Sequence, residues 1–169
     1  VSGRDILIKQ NHLMAETAGT PLSAQQSKDV EAIFDAIYNS TDSLQLAARL
    51  TEIMNATGNH SAEEIAQSVK VMSSPWYVEF VKLDPAKYLT NIKCPVLAMN
   101  GTWDFQVDAT QNLEVAKNII PTATVKYYEG LNHLFQPSSS RQASMSYGAI
   151  ETTISEQVLK DMMEWIIRR

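Results

Sequence analysis

Cysteine is nearly absent from this chain of 169 residues, which has only Cys94. A single thiol excludes an internal disulfide framework and any CxxC metal or redox pair, and it leaves the compartment open. Positive charge is also scarce. The 14 Lys and Arg face 19 Asp and Glu, for a formal net charge of −5. That balance argues against a nucleic-acid binder, which would carry a clustered basic face. No apolar run approaches the ~20 residues of a membrane helix, so no membrane span is expected. His12 and His60 lack HExxH spacing and clustered carboxylates, so no metal site is expected. No glycine-rich phosphate loop occurs, so a nucleotide site is unsupported and no cofactor is implied. The chain begins at Val1 with no signal-peptide pattern, and the natural N-terminus is expected to lie upstream or to have been removed.

What is present suits a packed protein. Hydrophobic residues make up 44% of the chain and charged residues 20%, enough to build a core and to exclude wholesale disorder. The chain divides into two unlike parts. Residues 1–91 read as helices. The first runs through Asp5–Met14 and ends near Gly19 and Pro21. Ser23 and Gln26 form a capping box ahead of a stripe of Val30, Ile33, Phe34, Ile37 and Tyr38. A third helix carries Leu44, Ala47, Leu50 and Met54 and stops at Gly58. Ser61 and Glu64 form a second capping box before Ile65, Val69 and Met72. Pro75 punctuates that helix, a short aromatic helix continues through Trp76–Val81, and Pro85 opens one more turn.

Residues 92–169 change period. Pro95–Asn100 is a short apolar run, as expected of a buried parallel strand. Residues 109–120 read as a helix and 122–129 as a second strand. Residues 136–153 read as a long polar loop. Ser155 is placed to cap a last helix with Val158, Met162, Trp165 and Ile166 inward, and Arg168 and Arg169 suit its C-terminal dipole. A strand–helix–strand of this length implies parallel pairing through a right-handed crossover. Two parallel strands make a poor sheet on their own. The layout is therefore expected to be the end of a larger α/β unit.

Two loops then matter, because the carboxyl ends of parallel strands carry ligands and catalytic groups. Gly101–Val107 follows the first strand and Gly130–Phe135 follows the second. If the strands are neighbours, Asp104 and His133 open on the same edge. A carboxylate against imidazole fixes its tautomer and stabilises the imidazolium formed when it takes a proton. Each residue also has an ordinary reading. An Asp after a strand commonly holds a turn, and a lone loop His is commonly a hydrogen-bonded surface residue.

The runs Ile92–Asp104 and Tyr128–Phe135 resemble the C-terminal part of α/β-hydrolase-fold enzymes, most closely bacterial serine hydrolases of the esterase and acyl-hydrolase type. The resemblance covers residues 92–169 well and 1–91 loosely. It implies that Asp104 is the acid and His133 the base of a Ser–Asp–His triad. It also implies that 92–169 is the closing βαβα part of the core and that 1–91 is a helical lid or cap. Neither the nucleophile elbow G-x-S-x-G nor an HGGG-type oxyanion loop occurs anywhere in 1–169. The expectation is a C-terminal fragment of an ester or acyl hydrolase, inactive alone, whose substrate is a small acyl ester.

Trp76 and Phe80 are candidates to line an acyl pocket, and Trp103 and Phe135 to flank the acid and base; ordinary packing is the competing reading for all four. Met14, Met54 and Met72 suit core gap-filling. Cys94 is expected to be a buried, inert thiol. A rival reading is a non-catalytic binding or assembly module whose helical stripes are covered by a partner. Open strand edges further suggest self-association.

Overall fold

The computed structural model describes residues 1–58 and 60–168. It is a mixed α/β arrangement: six helices, then a two-stranded parallel sheet with a helix on each face. The helical layer comprises α1 (Gly3–Thr17), α2 (Ala24–Tyr38), α3 (Ser43–Thr57), α4 (Ala62–Met72), α5 (Pro75–Lys82) and the single turn α6 (Ala86–Leu89). Local chemistry sets most of these boundaries. Ser23 and Ser61 each accept from the backbone N–H three residues on, and Gln26 and Glu64 reciprocate, completing both capping boxes. Asp42 caps α3, and Gly58 closes it at φ 66°. The apolar stripes meet in one core built from Phe34, Ile37, Leu46, Leu50, Met54, Ile65, Val69 and Val81. Helix α1 starts earlier than the apolar pattern suggests. Ser2 accepts from Asp5 N–H, and Gly3 packs so close to α5 that a Cβ there would lie 2.0 Å from the Phe80 carbonyl oxygen.

The α/β part comprises β1 (Leu97–Gly101), α7 (Ala109–Ile119), β2 (Thr124–Tyr128) and α8 (Glu156–Ile167). The strands pair in parallel from Leu97↔Thr124 to Gly101↔Tyr128, so both end at the same edge. Alternation along β2 divides its neighbours. Thr124 accepts from the Trp165 indole at 3.1 Å. Lys126 pairs with Asp161 at 2.8 Å. Tyr128 donates to Asp161 at 2.8 Å. These alternate residues bind α8, while Val125 and Tyr127 face Glu114, Lys117 and Asn118 of α7. Burial and the acidic acceptor push the Tyr128 phenol well above its ordinary pKa, and Lys126 and Tyr128 hold Asp161 below its own.

Three details depart from expectation. Cys94 is exposed, because it precedes β1 in a bend that no element covers. Ser155 stands at the start of α8, but its side chain makes no capping bond; its backbone N–H donates to the Phe135 carbonyl at 2.8 Å. Val158 of α8 is fully buried as expected, but Ile166 is 63% exposed. The expectation for Arg169 lies outside the described residues. The polar loop 136–153 contains two 3-10 turns, Ala143–Met145 and Tyr147–Ala149. Among the described residues, no helix is long and apolar enough to cross a membrane.

Candidate functional site

Asp104 and His133, 29 residues apart in sequence, meet where the parallel strands end. The two loops are laced together before either side chain is considered. Thr102 N–H donates to the Tyr128 carbonyl at 2.9 Å, and Trp103 N–H donates to the Leu131 carbonyl at 3.0 Å. Gly130 N–H donates to Thr102 Oγ1 at 3.0 Å. Glycine is required at 101 by this approach, since a Cβ there would lie 2.1 Å from the Leu131 carbonyl oxygen. Gly130 turns at φ 73°, with the Trp103 ring against it.

The Asp104 side chain is buried, at 1% exposure, and its two oxygens have different duties. Oδ1 accepts from the backbone N–H groups of Gln106 and Val107, at 2.8 and 2.9 Å. This is the turn-holding role of an Asp after a strand. Oδ2 is left for His133 Nδ1, 2.8 Å away. The turn reading and the dyad reading are therefore both satisfied by one carboxylate. His133 is 39% exposed, and among the described residues no hydrogen bond occupies its Nε2. With Nδ1–H donating to the carboxylate, Nε2 is the nitrogen that can accept a proton. The hydrogen bond to Asp104 raises the His133 pKa, aided by the charge of Asp104 and opposed by burial.

Sequence reasoning passed over the residues that hold His133 in place. Asn132 is fully buried. Its Oδ1 accepts from Leu134 and Gln136 N–H, both at 2.9 Å. Its Nδ2 donates to Gln136 Oε1 at 3.0 Å and to the Ser144 carbonyl at 3.4 Å. Phe135 closes the turn with φ 56°, a rare conformation for a residue with a bulky side chain. The signal for Asn132 was readable, because Asn bonds its own backbone two residues on. Asn100 similarly donates to the Val107 carbonyl at 2.8 Å, closing the acid turn.

The four aromatic candidates occupy separate places. Trp76 and Phe80 stack at 5.6 Å in α5, with Trp76 72% exposed. Trp103 sits over Gly130, and Phe135 packs edge-on against Tyr128 at 5.9 Å. A cleft of about 480 Å³ opens in the helical layer, but its walls are other residues, among them Ile33, Phe34, Met54, Val71, Met72 and Tyr77. Among the described residues, no group of three or more His, Cys, Asp or Glu could hold a metal ion. Comparison with protein-family models, curated proteins and solved structures finds no match to this chain.

Proposed function

We propose that this chain carries the acid and base of a serine hydrolase of the α/β-hydrolase type, acting on carboxylic esters or related acyl bonds. One observation carries the reading: a buried carboxylate bonded at 2.8 Å to an imidazole, at the carboxyl ends of two adjacent parallel strands. In the proposed reaction, His133 Nε2 takes the proton of a serine hydroxyl as its oxygen attacks the ester carbonyl. Asp104 stays ionised and stabilises the imidazolium. His133 then returns the proton to the departing alcohol, leaving an acyl-serine that water cleaves by the same relay. The serine and the oxyanion donors would come from residues outside 1–169. On this reading, 1–91 is the lid and 92–169 the closing part of the core. Trp76, Phe80, Trp103 and Phe135 are then the side chains to test for acyl contact.

The test is the reading frame upstream of Val1 and the full-length protein it encodes. An in-frame G-x-S-x-G is expected there. A fluorophosphonate probe should label that serine, and His133→Ala should abolish labelling. Asp104→Asn should slow turnover on the order of 10⁴-fold. Labelling of a serine within the 169 residues alone, or full-length labelling indifferent to His133→Ala, would refute the proposal.

A further inference from the structure

We infer that Ser144 and Tyr147, in the loop between β2 and α8, are positioning residues that set the basicity of His133 by bracing both halves of the Asp104–His133 pair. The inference takes the pair's geometry from the reading above and assigns it a third structural component.

Ser144 is fully buried in a segment that reads in the sequence as a long polar loop. It touches the residue before the acid and the residue before the base. Its hydroxyl lies 3.2 Å from the Trp103 carbonyl and 2.6 Å from the Arg141 carbonyl. Its own carbonyl accepts from Asn132 Nδ2 at 3.4 Å. A hydroxyl has one proton, so it serves the two carbonyls as a bifurcated donor, the shorter and stronger branch to Arg141 within its own turn and the longer, weaker one to Trp103. Tyr147 grips the other side of the acid turn. Its hydroxyl accepts from Gln106 Nε2 at 2.7 Å, and its ring stacks on Phe105 at 5.8 Å. Gln106 is one of the two residues whose backbone N–H binds Asp104 Oδ1. Residues 103, 105 and 106 around Asp104 and residue 132 beside His133 are thus all held from one short stretch.

The consequence is electrostatic. The His133 pKa is raised chiefly by a hydrogen bond, and such a bond weakens steeply as distance and angle relax. Loosening the brace lets Asp104 and His133 drift within their loops, so the shift should shrink while the strands stay paired. A residue serving only global stability would lower the unfolding midpoint and leave the titration of the folded protein unchanged.

The experiment is an NMR titration of His133 in the 169-residue chain, with His12 and His60 as internal references. Asp104→Asn sets the full scale, by lowering the His133 midpoint. Ser144→Ala and Tyr147→Phe should each place the midpoint between wild type and Asp104→Asn. Tyr147→Phe keeps the ring stack, so it remains informative if Ser144→Ala fails to fold. Ser144→Thr, which keeps the hydroxyl, should recover part of the shift. If Asp104→Asn lowers the midpoint but the folded Ser144 and Tyr147 variants keep the wild-type value, the brace is overturned. If Asp104→Asn itself moves nothing, the dyad reading falls instead.

Discussion

At the scale of single residues, His133 faces opposing demands on its proton. Its folded pKa is raised, so folding favours the protonated ring. The resulting stabilisation is complete below the unfolded value of about 6.5 and is lost as pH rises through the higher folded value. Under the hydrolase proposal His133 is a general base and must be neutral, so activity of the full-length protein should instead rise with pH through that same folded value. The urea midpoint of the chain should therefore fall as pH rises from about 6.5 through the raised folded value, and His133→Gln should flatten that part of the decline. An unchanged slope in the variant would place the pH dependence elsewhere. A second residue-scale expectation concerns Gly101. A methyl group there meets backbone rather than a movable side chain. Gly101→Ala should cost roughly 2–4 kcal/mol by chemical denaturation and should part the two site loops. A cost within the range of an ordinary surface change would mean that the strand ends are not held as close as described.

Among the elements, short-range rules carry far. Both capping boxes, the Gly58 stop and the apolar stripes of α2 to α4 act within a few residues, so the letters alone place them. Ser61→Ala should cost about 1 kcal/mol, because it removes the hydroxyl that accepts from Glu64 N–H and donates to Glu64 Oε2 at an exposed helix start. Leu50→Ala, at a fully buried position, should cost about 2–5 kcal/mol; urea unfolding of the two variants measures the contrast. The parallel strands were legible because a short apolar run, a helix and a β-rich run allow little else. That adjacency is also what let Asp104 and His133 be paired in advance. What was not legible depends on distant partners. The need for glycine at position 3 follows from the Phe80 carbonyl, the exposure of Cys94 from its bend ahead of β1, and the burial of Ser144 from two loops closing over it. None of these leaves a periodic trace in its own neighbourhood.

For the molecule as a whole, the arrangement of apolar surface carries the last expectation. Helix α8 turns Val158 into the core, yet Leu159, Met163, Ile166 and Ile167 remain between 48% and 75% exposed. Their spacing of four, three and one places them on one side of the helix. Among the described residues the sheet has two strands, so each has one edge without a strand neighbour. An apolar helix face beside unpaired strand edges recruits whatever apolar surface is available, and at high concentration that is a second copy of the chain. Light scattering on the 169-residue chain should show mass rising with concentration. Replacing Leu159 and Ile166 together by Lys should shift the molecule toward monomer, with little loss of stability because both positions face water. A wild-type chain that stays monomeric at high concentration would show that α8's exposed face does not drive pairing. Association that survives the double Lys variant would move the cause from α8 to the strand edges. The test is informative for the hydrolase proposal too, since the same face and edges are where further strands of a larger sheet would pack. A full-length protein that buries them should therefore lose the concentration dependence that the 169-residue chain displays.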